Sequence, residues 1–547
     1  MDRRAFLQQL RGRLPETEAT PIPSKTTLVE WQPSQDNPWD SNAINHLYHR
    51  LGFSASFADV VAAQKLTASQ VIDHLMDDTL LTTGVAEPPL KHEQWMYAMP
   101  YTGPDYPIAH AEDVLQHDAK TDIRNWWTVQ MMKSEPQLRE KLMLFWHNHF
   151  VIEEVKVYFA VHFWRYLDYL RRHPWGNLLQ ITKDITVMPA MLKYLDGIWS
   201  DKDTINENYA REVMELFTMG INDREGNKNY TQDDIRNVAF AVTGWRFRFE
   251  EPSPNVMPPY FADYYFDFKT KRSIFGADAK IYGLATANDS RIEADVIDLM
   301  FEKRGKSIAW NIAKKAYHNF VYMGDLPSSS NDIIQELADT LIASNWELKP
   351  MFAKLFKSEH FFDPIHRGGA IKSPYEFMIS VCRKMNVPLT EYEAGSFWYF
   401  GMDTGQFLGK PPNVKGWNGY RDWLNTATLP KRINDVVRDL ILNGWIKGQL
   451  INPHNGATFD GVPYTDQQIT DWAKQFDSYQ NDLESLLSQM SDFLLAMSLS
   501  YERIKEIITR AGVLHTYEWA RLDNQAKVQP LRRLIFELLS TPEFQLA

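Results

Sequence analysis

From Asn42 to the C-terminus, apolar residues recur at three- and four-residue spacing in one segment after another, each bounded by capping residues, glycine or proline. That period lines one face of an α-helix and does not match the alternation of a half-buried strand, so helices must build most of this chain. In LTASQVIDHLMDD, Thr67 stands as an N-cap with Gln70 three residues on, and Val71, Ile72 and Leu75 form the apolar stripe. QLREKLMLFWHNHF and VKVYFAVHFWRYLDYLRRH read as two further helices, the second ended by Pro174. NENYAREVMELFTMG closes on Gly220, and YTQDDIRNVAFAVTGW opens on Thr231 with Asp234 at the third helical position. In KSPYEFM, Ser373 is the expected cap and Pro374 the first helical residue.

Two stretches break the period. Residues 246–290 are rich in Pro, Tyr and Phe and suit an ordered loop or a short strand pair, while Gly405 to Trp423 hold too many Pro and Gly residues to be helical. The expected fold is therefore mainly α, a large multi-helix globular body with a short irregular or β-containing insertion. Its parts are an extended lead-in at 1–40, an N-terminal helical part at 41–245, the aromatic insertion at 246–290 and a C-terminal helical part at 291–547.

Composition removes several function classes. Lys and Arg total 58 against 70 Asp and Glu, a formal charge of −12, with no basic stretch able to track a phosphate backbone, so nucleic acid is not an expected partner. No apolar run reaches the roughly 18 to 20 residues a transmembrane helix needs. A single cysteine, Cys382, excludes an internal disulfide and a cysteine-based metal cage, leaving His and carboxylates to hold any metal. Arg3-Arg4-Ala5-Phe6-Leu7 matches a twin-arginine export start, but Gln8, Gln9, Arg11 and Arg13 interrupt the apolar stretch such a signal requires. A cytoplasmic location is thus expected, with export to the periplasm as the alternative.

The candidate chemistry lies in FWHNHF and NENYAREVMEL. His147 and His149 would lie about 200° apart on a regular helix, so both can serve one ion only if the helix ends there. Glu212 and Glu215 share a face and complete a His-carboxylate set suited to a divalent metal. Glu207 and Arg211 are candidate catalytic groups, although a first-turn carboxylate and a structural tether explain them equally. A hydrogen-bonded network joining His147, Asn148, Arg211 and Glu212, or a metal-free acid and base pair, would use the same residues. Asn413, Lys415 and Trp417, in the Pro-Gly loop, are candidate substrate contacts, and Trp417 and Trp423 are the tryptophans expected nearest the surface.

HLYHRLGF (His46 to Phe53), EKLMLFWHNHF (Glu140 to Phe150), NENYAREVMELFTMG, YTQDDIRNVAFAVTGW, IKSPYEFM (Ile371 to Met378) and PPNVKGWNGYRDWLN (Pro411 to Asn425) together resemble the bacterial family called domain of unknown function 1800, in the family's order. The resemblance implies a mostly helical bacterial protein, often exported, encoded beside proteins that look like sulfatases or phosphatases. It brings no settled activity. The family usually has a His-Asp pair where this chain has Asp267 and Phe268. The expected function is metal-assisted hydrolytic or related chemistry on a glycan-like or anionic substrate. The alternative is a non-catalytic binding protein or partner of a sulfatase-like neighbour, with the polar motifs structural.

Overall fold

The computed structural model describes residues 26–82, 106–133, 136–247, 259–387, 391–446, 462–513 and 516–547. The twin-arginine-like start and part of the 246–290 insertion lie outside the described residues. The helices that build the sites, labelled in chain order, are α1 (Ser41–Leu51), α2 (Tyr106–Lys133), α3 (Gln137–His149), α4 (Ala160–Arg172), α5 (Asn208–Glu212), α6 (Gln232–Ala241), α7 (Val296–Phe320), α8 (Pro374–Lys384), α9 (Glu391–Thr404), α10 (Tyr501–Ala511) and α11 (Asn524–Leu539). Other helices fill the intervals. The described strands are two-residue pieces in pairs: β1 (Trp245–Arg246) antiparallel to β2 (Tyr260–Phe261), β3 (Tyr282–Gly283) parallel to β4 (Ala294–Asp295), and β5 (Trp445–Ile446) antiparallel to β6 (Val462–Pro463). Trp245 pairs with Phe261 and Tyr282 with Ala294, so the aromatic segment does carry short strands, and the β5–β6 pair lies beyond it. The chain is mainly helical, and among the described residues no helix is long and apolar enough to cross a membrane.

The caps read from sequence form as expected. Thr67 with Gln70, Thr231 with Asp234 and Ser373 with Glu376 are reciprocal capping boxes, each satisfying two backbone donors that a helix start leaves free. Gly220 takes a φ of +76°, and its N–H donates to the carbonyl of Met214. Two readings need correction. The segment 155–173 is broken rather than continuous: a short helix, Glu154–Val157, stops at Tyr158 with φ +67°, and α4 begins afresh at Ala160. The NENYAREVMELF helix loses its regular period after Glu212 and runs through a π-turn, Val213–Phe217, whose wider loops of backbone push the chain outward.

One apolar core runs through both helical parts. Trp126, Trp127 and Trp146, along with Phe150 and Phe217, are buried where α2, α3 and the π-turn meet. α7 packs along the helix Ser330–Ala343, and α9 packs along α2. Segments distant in sequence meet at α1: His46 Nε2 donates to the carbonyl of Phe361, Arg50 Nη2 to that of His366, and Asn45 Nδ2 to that of Asp492. His46 and Arg50 are therefore ties between helices.

Candidate functional site

Helix α3 does end at His149, with Phe150 as its C-cap, yet the two histidines still face different surroundings. Tyr166 donates its hydroxyl proton to the carbonyl of Phe150 at 2.6 Å, so the 3.3 Å contact between Tyr166 and His147 Nδ1 has the imidazole as donor. The remaining nitrogen of His147, Nε2, is buried without a partner, edge-on to Trp127 and Trp417. Burial lowers its pKa to about 3, so the ring is neutral. His149 is differently committed: Nε2 donates to the carbonyl of Phe217 at 3.0 Å, and Nδ1 accepts from Lys315 Nζ at 3.1 Å. Burial and the Lys315 charge hold His149 well below the usual imidazole range. Lys315 also donates to the carbonyl of Leu216 at 2.6 Å, and burial brings its pKa down to about 8. Lys315 thus ties α7 to a carbonyl of the π-turn.

Asn148, between the two histidines, anchors the Pro-Gly loop. Its Oδ1 accepts from the backbone N–H of Trp417 at 2.7 Å and its Nδ2 donates to the carbonyl of Trp417 at 3.3 Å. Gly416, at φ +81°, passes so close that an added Cβ would lie 2.2 Å from Asn148 Oδ1 and 2.7 Å from its carbonyl oxygen. A second anchor forms where Glu154 N–H donates to the carbonyl of Gly409 at 2.8 Å, while the Glu154 carboxylate is buried against Arg124. The loop therefore lies over α3 as its Pro and Gly content allowed. Trp417 and Trp423, expected near the surface, are instead only 6% and 7% exposed, because their rings fill the space between loop and helix.

Lys415 and Asn413 stay on the outside of that loop. Asn413 is exposed and its Oδ1 accepts from Lys415 N–H, closing a turn, so it does not reach the histidines. Lys415 is exposed and lies near enough to Glu212 to act on its charge. This approach joins the loop to the π-turn across about 200 residues of sequence.

Around the π-turn the charged residues form a partly exposed row. Arg211 lies 3.5 Å from Glu207 and 3.6 Å from Glu215, one helical turn to either side. Glu207 occupies the N-cap position without capping; Asn206 Oδ1 accepts from Asn208 N–H, and Glu207 accepts from Gln232 Nε2 at 2.8 Å. Glu215 accepts from the Tyr230 hydroxyl, which together with burial raises the phenol's pKa. Glu212 is half-buried, and among the described residues nothing donates a hydrogen bond to it. Burial and the charge of Glu215 raise its pKa, opposed by Arg211 and Lys415. The Tyr194 phenol lies close to Glu212 and Glu153, and burial with these charges pushes it up to about 12.

The histidines and these carboxylates do not assemble into the metal centre their types suggested. Lys315 is the charge that acts on His149, and among the described residues no carboxylate acts on either ring. Among the described residues, no group of three or more His, Cys, Asp and Glu side chains is placed to hold an ion. The anticipated network splits likewise: His147 and Asn148 belong to the loop anchor, Arg211 and Glu212 to the exposed row. Asp267 and Phe268 stand apart from both. Asp267 accepts from Lys269 and Thr270 N–H and pairs with Arg272 at 2.7 Å, while Phe268 sits beneath the Arg291 guanidinium.

Sequence reasoning missed three features here. Tyr194 carries no motif and comes near Glu212 and Glu153 only through packing. Trp199 is 61% exposed on the turn after the helix Pro189–Tyr194, with Lys193 Nζ 5.8 Å from its ring. A polar cleft of about 110 Å³ also opens on the far side of Trp417, where Lys141 pairs with Glu376 beside His318 and Gln406. No curated protein matches this chain at a meaningful level. No solved structure does either. A family model described as "Protein of unknown function (DUF1800)" matches residues 46–546, nearly the whole chain, and the protein therefore belongs to the DUF1800 family.

Proposed function

We propose that this chain is an acid–base hydrolase whose site is the row Arg211, Glu212 and Glu215 together with Lys415. The observation that carries the reading is Glu212: a half-buried carboxyl that no described residue hydrogen-bonds, within electrostatic reach of a second carboxylate, Glu215, and of a lysine delivered by a distant loop. A carboxyl whose pKa is moved upward is shifted in the direction that suits a proton donor, while a paired neighbour is available to bear or accept charge. In this reading Glu212 is the general acid, and Glu215, fixed by Arg211 and Tyr230, is the second carboxylate. Lys415, exposed beside this row, attracts an anionic group, and Arg211 is held between Glu207 and Glu215. The exposed ring of Trp199, on the turn following Tyr194, suits a sugar face, which favours a glycan-like substrate carrying negative charge.

The test is hydrolysis of a panel of sulfated, phosphorylated and uronate-bearing oligosaccharides by the wild type and by Glu212→Gln. Turnover by the wild type and a loss of about 100-fold or more in the variant, with an unchanged circular dichroism spectrum, supports the assignment. Equal turnover by both proteins removes Glu212 from the chemistry. A second reading, a non-catalytic partner of a sulfatase-like protein, is favoured by how many motif groups are consumed internally: Asn148 by Trp417, His149 by Phe217 and Lys315, Glu140 by Arg139 and Arg171. It predicts binding to such a partner and no turnover on any panel member.

A further inference from the structure

We infer that the groove between the second π-turn and the two C-terminal helices α10 and α11 is a binding site for a short-chain amphipathic anion, one negative head on an aliphatic tail. The groove encloses about 320 Å³, at the lower end of the roughly 300 to 1,000 Å³ typical of ligand pockets. Its apolar wall comes from Leu429, Ile433, Ile507 and Phe536, brought together from three helical segments. Three guanidinium groups, those of Arg438, Arg503 and Arg510, line the same space.

Among the described residues, three arginines of the groove face two carboxylates, Glu506 and Glu537. Arg503 and Arg510 both pair with the single carboxylate of Glu506, and Arg438 is occupied by a neutral group, Asn434 Oδ1 at 3.2 Å, with its guanidinium 5.3 Å from the Phe536 ring. Glu537 also lines the groove as a second carboxylate; burial raises its pKa, opposed by the charges of Arg510 and Arg503. Among the described residues, two buried polar atoms of the lining have no hydrogen-bond partner: Arg503 Nε, a donor, and Ser540 Oγ. A buried donor without an acceptor is costly unless a ligand or water satisfies it, and a carboxylate or sulfate oxygen does so with a charge-assisted bond.

The backbone points the same way. Among the described residues π-turns occur at Val213–Phe217 and at Arg432–Arg438, and the second supplies Ile433, Asn434 and Arg438 to this groove. A π-turn is less stable than regular helix and persists mostly where a site uses the side chains it displaces. An apolar wall alone would take an oil, and an arginine cluster alone would take any small anion. The two in one enclosed space require a ligand with both properties.

The test is isothermal titration of the full chain with octanoate and with octyl sulfate, against acetate and octanol as probes lacking the tail or the charge. Octanoate, octyl sulfate or both should bind, acetate and octanol at least about tenfold more weakly, and exposed Arg438→Gln should weaken the anion about tenfold. Arg503→Gln should weaken it further; because that change also breaks the pair with Glu506, the Arg438 variant is the deciding one. If neither amphiphile binds, if acetate binds as well as octanoate, or if Arg438→Gln leaves binding unchanged, the assignment is wrong.

Discussion

Replacing Gly416 by alanine, with Gly405 as its control, isolates what the loop anchor contributes. Both glycines lie in the same loop at positive φ, +81° and +92°, where an L side chain costs about 1–2 kcal/mol. They differ in surroundings: a Cβ at Gly405 would meet nothing within 4 Å, whereas one at Gly416 would lie 2.2 Å from Asn148 Oδ1 and 2.7 Å from the Asn148 carbonyl oxygen. The side-chain oxygen could rotate away, but it accepts from Trp417 N–H at 2.7 Å, and the carbonyl belongs to the last turn of α3. Accommodating the methyl therefore opens both Asn148–Trp417 bonds, at about 1 kcal/mol each. The expected cost is about 1–2 kcal/mol for Gly405→Ala and about 3–4 kcal/mol for Gly416→Ala. Native-state tryptic cleavage at Lys415 reads the opening of this loop directly. A difference of about 2 kcal/mol corresponds to cleavage about 30-fold faster in Gly416→Ala than in Gly405→Ala. Equal rates in the two variants would refute the clamp as the element that holds the loop.

Further expectations follow from buried charges. Lys372 is buried, donates to the Phe544 carbonyl at 2.9 Å, and has its pKa lowered by burial to about 7. A base whose folded pKa is depressed is fully tolerated above its unfolded pKa, and stability falls as pH drops from about 10.4 to about 7, where the folded state also takes the proton. Lys372→Met removes that slope, so its denaturation midpoint relative to the wild type should fall as pH rises from 7 to 10; parallel curves would show that Lys372 does not titrate in that window. Lys315→Met leaves the Leu216 carbonyl of the π-turn without its donor and should destabilise by about 1–3 kcal/mol in urea unfolding. It should also raise the His149 pKa, read from its ring proton shifts, because the Lys315 charge contributes to lowering it; an unmoved His149 resonance would contradict the contact.

The helical body was readable because its signals are local. Thr67, Thr231 and Ser373 cap helices through atoms three residues away, and the spacing of apolar residues sets the face each helix buries. The loop from Gly405 to Trp423 was equally readable, since Pro and Gly restrict or free the backbone at their own positions. The π-turn at Val213–Phe217 was not: a single slip from the regular ladder leaves composition and apolar spacing almost unchanged, while it displaces the carboxylates beside it.

Sequence alone determined that the chain is mainly helical, where the capped helices at Thr67, Thr231 and Ser373 begin, that the loop after Gly405, which closes in a short 3-10 turn at Tyr420–Trp423, is mostly irregular, and that Glu212 and Glu215 are close along one segment. Only the tertiary structure decided what those residues meet. It turned His147 toward Trp127, Tyr166 and Trp417, engaged both nitrogens of His149 with Phe217 and Lys315, buried Trp417, and set Lys415 and Tyr194 beside Glu212. The division has a physical cause. Caps and periods arise from bonds spanning three or four residues, whereas the partner of a side chain is fixed by how whole apolar faces pack, which brings together positions about 200 residues apart that carry no mark of each other in the sequence.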